Sequence, residues 1–266
     1  MPKLSIGDAE LYYEIHGDGP PLLLVPGLGG VGAFWTPQVR ELSRDFRVII
    51  HDHRGAGQST HSLIEYSVDQ MAADTLRLMD GLGIESAHYV GHSTGGAMGQ
   101  TIAQDHPGRL QSLVLSATWP GQDAYFRRCF ESRKEALLRL GWESYWHASL
   151  LMLYPAQWIS ANDKALQEEE RRMRAGTPPT AVLASRIDAI MRFDRRARLG
   201  EIRTPTLVIV AEDDAITPRF YSEELARRIP GAELRVLATG GHFVPIVAPG
   251  EYNAAIGAFL RKQIAR

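Results

Sequence analysis

Short apolar runs alternate along the chain with stretches in which apolar residues fall three and four apart. The runs LSI (4–6), AELYYEIHG (9–17), PPLLLVPG (20–27), RVIIHDH (47–53), SAHYVGH (86–92), LQSLVLSA (110–117), TPTLVIVAE (204–212) and AELRVLA (232–238) predict eight strands. The first two read as an N-terminal hairpin. The helical spacing falls in FWTPQVRELSRD (34–45), SVDQMAADTLRLMDGLG (67–83), the segment after Gly95, YSEELARRI (221–229) and APGEYNAAIGAFLRKQI (248–264). Strands that are apolar on both faces, alternating with amphipathic helices, predict an α/β fold whose sheet is mostly parallel and lies between helix layers. One segment breaks the alternation. From Trp119 to Arg198 the pattern is helical throughout, with Pro155, Pro178 and Pro179 between its pieces. It reads as a helical insertion after the sixth strand, so 1–118 and 199–266 form the core and 119–198 a lid.

Composition narrows the function classes. A chain of 266 residues with 44% hydrophobic residues can bury one full core. Its formal charge is −2, from 29 basic and 31 acidic residues, and no basic run interleaves with aromatics, so nucleic acid is not an expected partner. No segment approaches 18 consecutive apolar residues, and the start has no basic region followed by an apolar one. The expectation is a cytoplasmic protein that takes a small-molecule substrate, as a monomer or homodimer, away from membranes. The single cysteine, Cys129, excludes an internal disulfide and a multi-cysteine metal site. It reads as a packing thiol. No metal or organic cofactor is expected.

The chemistry concentrates around GHSTG, residues 91–95, where an apolar run ends and a small-residue helix begins. A serine on such a turn is pushed out of the sheet, while flanking glycines let strand and helix approach. Ser93 would then sit at a helix N-terminus, where free N–H groups favour developing negative charge. An unassisted serine is a poor nucleophile, so a base and a group that orients it are required. Of nine histidines, His242 stands apart, in a loop after Gly240-Gly241 that follows the last strand. His92, beside Ser93, is expected to point away. Glu212, Asp213 and Asp214 follow the seventh strand and supply candidate carboxylates.

Serine, then acid, then histidine in chain order, with G-x-S-x-G at a strand-to-helix turn, resembles the α/β-hydrolase superfamily. That resemblance implies the α/β-hydrolase fold and acyl transfer by Ser93, His242 and an acid. The family's acid commonly stands four residues before a proline, which selects Asp214 through Pro218, with Asp213 as the fallback. LLLVPGLGG (22–30) resembles the family's oxyanion loop, with Pro26 where many members have histidine, and implies the backbone N–H groups of Leu28 and Thr94 as the oxyanion hole. HDHRGAGQS (51–59) resembles a structural loop of the family, which makes Asp52 and Arg54 a scaffold pair. The inserted stretch resembles the aminoacrylate hydrolases of pyrimidine degradation, and the body resembles enol-lactonases. The presence of Ser93 favours hydrolysis of a small carboxylic ester or lactone. Aminoacrylate-type C–N cleavage is the alternative, and a non-catalytic ligand-binding member of the fold is a second one.

The insertion also carries four of the five tryptophans, Trp119, Trp142, Trp146 and Trp158. Three of them suit helix packing. Trp119 directly follows a strand end, where α/β sheets place ligands, and is the expected substrate contact. The insertion has 14 basic and 10 acidic residues, net +4, which leaves −6 for the rest. That asymmetry suits either solvated helix faces or attraction of a small carboxylate.

Overall fold

The computed structural model describes residues 2–264. Its strands are β1 (Lys3–Ser5), β2 (Glu10–His16), β3 (Pro21–Val25), β4 (Arg47–His51), β5 (Ala87–His92), β6 (Leu110–Ser116), β7 (Thr206–Ala211) and β8 (Glu233–Leu237). They form one eight-stranded sheet in the order β1-β2-β4-β3-β5-β6-β7-β8. β1 pairs with β2, and β2 with β4, antiparallel, and every other neighbour is parallel. β5 therefore lies at the centre, and its C-terminal end opens on Ser93.

Helices α1 (Thr36–Leu42), α2 (Val68–Gly81), α3 (Thr94–Asp105), α8 (Arg219–Arg228) and α10 (Pro249–Ile264) alternate with the strands. A short helix α9 (Val244–Val247) precedes α10. Successive strand residues bury on opposite faces, as the pleat requires. Leu22, Leu24, Val48 and Ile50 pack with Trp35 and Leu260 on the side of α1 and α10. Leu23, Val25, Ile49 and Tyr89 pack with Met71 and Met98 on the side of α2 and α3.

Between β6 and β7 run four helices, α4 (Ala124–Leu140), α5 (Trp142–Leu153), α6 (Ala156–Ala175) and α7 (Thr180–Arg192), and no named strand. α4 starts where Asp123 caps the N–H of Phe126 at 2.9 Å. Its buried residues Phe126, Cys129, Phe130, Arg133 and Leu137 recur at helical spacing and form one inward stripe. The sequence divides 156–175 into two helical pieces. The structure joins them across a kink at Asn162, whose φ of −124° leaves the helical range and whose side-chain amide bonds the Trp158 carbonyl at 2.8 Å. Trp142 stacks on Trp146 one turn along α5, and Trp158 of α6 stacks on Tyr154 at the end of α5. None of the helices among the described residues is long and apolar enough to cross a membrane.

Candidate active site

Ser93 stands between β5 and α3 with φ 52° and ψ −115°, one of two non-glycine residues among those described with positive φ. Such a backbone is strained for an L-residue and persists only where its surroundings hold it. The holding contacts are the N–H of Ser93 on the Ser116 carbonyl at 2.8 Å, and its carbonyl receiving the Thr118 hydroxyl at 2.8 Å and the Gly96 N–H at 2.9 Å. The flanking glycines have a steric cause. A Cβ on Gly91 would come within 2.3 Å of the Gly95 carbonyl oxygen, and one on Gly95 within 2.2 Å of the Val25 oxygen. α3 has no side-chain cap, so the N–H of Thr94, its first residue, has no partner within the helix. The backbone of the loop after β3 lies against Ser93 at Gly27: a Cβ there would stand 3.1 Å from the serine Cβ.

His242 Nδ1 lies 2.9 Å from Asp214 Oδ2 and 3.1 Å from Oδ1, with both side chains buried. A carboxylate only accepts, so Nδ1 carries the proton and Nε2 is left as the basic nitrogen. Asp214 is fixed by the N–H groups of Ile216 and Thr217, each at 2.8 Å, and by the Thr217 hydroxyl at 2.8 Å. Asp213 does something else. It accepts the Thr239 hydroxyl at 2.6 Å and the Gly241 N–H at 2.8 Å, and so ties down the loop that presents His242. His92 does not point away: its ring centroid is 4.9 Å from that of His242 and 4.9 Å from Phe34, on which it stacks. β5 ends at His92, and the turn at Ser93 leaves the imidazole on the side of His242 rather than opposite it. Burial, then the neighbouring His242, hold the pKa of His92 well below the ordinary histidine value, so it is a neutral wall.

Asp52 and Arg54 are both scaffold residues, but not partners of one another. Asp52 accepts the N–H groups of Gly32 and Gln58 at 2.8 Å, whereas Arg54 pairs with Asp74 at 2.9 Å and Asp8 at 2.7 Å. Trp119 is fully buried, stacked on Phe126 at 4.5 Å and edge-on to Phe193 at 5.9 Å. Its indole Nε1 has no protein partner among the described residues.

The inserted helices hold each of the three loops around Ser93. Arg186 of α7, almost wholly buried, donates to the Leu28 carbonyl at 2.9 Å and the Arg54 carbonyl at 2.6 Å. The Tyr125 hydroxyl at the start of α4 bonds the Ala215 carbonyl beside Asp214. The Leu153 carbonyl at the end of α5 accepts the N–H of Phe243 at 3.0 Å, beside His242. Burial lowers the Arg186 pKa to about 10, which still leaves the guanidinium charged near neutrality. Arg186 was not singled out from the sequence; its signal is a charged residue among the apolar positions of α7. Among the described residues, no group of three or more His, Cys, Asp or Glu side chains is placed to hold a metal ion.

A mostly parallel eight-stranded sheet with a strained serine after its central strand defines a class. Residues 20–249 match the α/β-hydrolase fold family, and the chain belongs to that family. Among curated relatives, a protein of Azorhizobium caulinodans provisionally named carbamate hydrolase RutD is 42% identical over 259 residues, covering 97% of this chain and 98% of its own. One of Stutzerimonas stutzeri with the same provisional name is 40% identical over 258 residues, covering 95% and 97%. Among solved structures, the enol-lactonase of Burkholderia xenovorans LB400 superposes with a TM-score of 0.90 at 28% identity, covering 98% of this chain and all of its own. A thermophilic esterase of Thermogutta terrifontis, solved with malate bound, gives 0.85 at 31% identity, covering 96% and 94%.

Proposed function

We propose that this chain hydrolyses a small acid with a carbamate- or aminoacrylate-type C–N bond, using Ser93, His242 and Asp214. The observation that carries the choice of bond is the 42% identity, over nearly the whole length of both chains, to proteins provisionally named carbamate hydrolases. The site geometry supports the roles. Asp214 holds His242 so that Nε2 takes the proton from Ser93 Oγ as that oxygen attacks a carbonyl carbon. The N–H groups of Leu28 and Thr94 receive the oxyanion, each worth about 3 kcal/mol in the transition state by analogy with known holes. Collapse of the adduct returns the proton to the departing nitrogen, and water then releases the acid from Ser93. For an aminoacrylate, the His242–Asp214 pair would instead activate water against the carbon of the imine tautomer, with loss of ammonia. The inserted helices act in this reading as a lid, and Trp119 as part of the wall beneath it.

The ester or lactone reading drawn from the sequence becomes the second one. It is favoured by the likeness to an enol-lactonase and an esterase. A parallel hydrolysis screen decides between them, with ammonia release followed for carbamates and aminoacrylates and acid release for short esters and lactones. We expect the C–N substrates to lead in kcat/KM. Esters or lactones in the lead would overturn the choice of bond, and turnover of neither class would leave a binding protein.

A further inference from the structure

The buried guanidinium of Arg186 is compensated by oriented acceptors. Nη1 donates to the Arg54 carbonyl at 2.6 Å, and Nη2 is shared between the Leu28 carbonyl at 2.9 Å and Nδ1 of His53 at 3.2 Å. A guanidinium only donates, so Nδ1 of His53 accepts and the proton of the neutral ring sits on Nε2. Burial, then Arg186 and His51, hold the His53 pKa well below the ordinary histidine value, so the ring keeps that lone pair. Nε2 is fully buried and has no protein partner among the described residues. An apolar side chain would avoid the cost of that orphaned atom. What the imidazole contributes in return is the acceptor at Nδ1.

From His53, short contacts lead to Ser93. Residues Gly27 to Gly30 form a turn after β3, closed by the Gly30 N–H on the Gly27 carbonyl at 2.9 Å. His53 holds this turn twice. Its backbone N–H donates to the Gly30 carbonyl at 2.7 Å, and its ring fixes the guanidinium that holds the Leu28 carbonyl. The packing leaves no slack at this end: Gly30 has a φ of 71°, and a Cβ on it would lie 2.8 Å from Arg186 Nη2 and 3.2 Å from the His53 Cβ. The other end of the turn rests on the nucleophile, since a Cβ on Gly27 would stand 3.1 Å from the Ser93 Cβ. Leu28 lies between the two ends. Its N–H belongs to the peptide that begins at Gly27, and its carbonyl is the one Arg186 holds.

We propose that His53 is a positioning residue for the hydrolytic site: its Nδ1 sets the Arg186 guanidinium, which through the Leu28 carbonyl aims the Leu28 N–H at the developing oxyanion. This deepens the hydrolase reading above and rests on it for the role of that N–H. A donor aimed before the reaction stabilises the charge without reorganising, so a loosened turn lowers kcat while substrate binding stays nearly as it was.

Three replacements of His53 separate the acceptor from the bulk of the ring. Asn carries its side-chain oxygen to about where Nδ1 stands, Gln carries its amide to about where Nε2 stands, and Leu carries neither. With 4-nitrophenyl acetate as substrate, we expect kcat to fall roughly 10-fold in His53→Leu and His53→Gln, the weight of one hydrogen bond, with KM little changed. His53→Asn should keep most of the wild-type kcat. Because His53 acts through Arg186, His53→Leu combined with Arg186→Met should be no slower than Arg186→Met alone. Losses that multiply, a loss confined to KM, or equal kcat in His53→Asn and His53→Leu overturn the proposal. Amide hydrogen exchange of the peptide covering 22–31 reads the turn without turnover, and melting temperatures show whether each variant is folded. Exchange there should quicken in His53→Leu and not in His53→Asn, and unchanged exchange in folded His53→Leu protein also overturns the proposal. If the turn loosens as expected while wild type neither cleaves the ester nor takes a fluorophosphonate on Ser93, the hydrolase reading fails and the hold of His53 and Arg186 on the turn stands.

Discussion

Two adjacent aspartates follow β7, and only the second meets the imidazole. Asp214 touches His242 Nδ1 at 2.9 Å, while Asp213 bonds Thr239 and Gly241. Asp214→Asn should therefore remove the partner that fixes the tautomer and cost about 10⁴-fold in kcat by analogy with other triads. Asp213→Asn keeps one acceptor oxygen for the His242 loop and should cost roughly 10-fold or less, the weight of one neutral hydrogen bond. Steady-state kinetics of both variants check this, and the opposite order would reassign the acid. Buried histidines set a second residue-scale expectation. Burial lowers the His51 pKa from 6.5 to about 4. Below pH 6.5 the unfolded chain takes up a proton that the folded chain refuses, so this contribution is complete above pH 6.5 and is lost as pH falls toward 4. It amounts to about 3 kcal/mol. Urea midpoints at pH 7.5, 6 and 5 should fall, and fall less steeply in His51→Gln; parallel curves would refute the assignment. The three proposed triad residues were legible in the sequence because each follows a strand at a point where apolar residues stop. His92 was not, because the turn that reverses its side is visible only in the φ of Ser93.

At the scale of elements, most strands and helices followed from periodicity within a residue or two, since the central strands are buried on two faces and most helices on one, while α1 stops at Leu42, three residues short of the expected Asp45. α4 ends at Leu140, where Gly141 takes a φ of 87°. Asn162 shows where periodicity runs out: two helical pieces and one kinked helix leave the same apolar pattern. The buried arginines show it again. Arg133 and Arg186 occupy apolar-stripe positions, which a pattern of apolar and polar residues registers only as interruptions. Arg186 gives this scale its prediction. Its replacement by Met leaves the carbonyls of Leu28 and Arg54 without their donors, at about 1 to 3 kcal/mol each. The Leu28 segment should then loosen beside Ser93. We expect kcat to fall by roughly 10-fold or more with KM little changed, as for interactions made only in the transition state. Arg186→Lys should recover part of it. A loss confined to KM would put Arg186 in substrate binding instead.

The whole molecule joins a rigid sheet to an insertion that grips it at three places: Arg186 at the loop of Leu28, Tyr125 at the loop of Asp214 and Leu153 at the loop of His242. These bonds make the inserted helices part of the support of all three loops. Trp119 belongs to that joint, closed between Phe126 of α4 and Phe193 after α7. Trp119→Ala should cost about 3 to 5 kcal/mol of stability, as for other large core truncations, visible as a lower urea midpoint. The expected 119–198 insertion rests on helical spacing, and α4 to α7 run from Ala124 to Arg192 with no named strand between β6 and β7.

The central claim is that the strained Ser93, served by His242 and Asp214, is the nucleophile of a hydrolase. Intact-protein mass spectrometry after exposure to a small fluorophosphonate tests it most directly. One adduct is expected, located on Ser93 by peptide mapping, slowed strongly in His242→Ala and absent in Ser93→Ala. A single adduct that persists in Ser93→Ala, or no adduct on the folded wild-type chain, would contradict it.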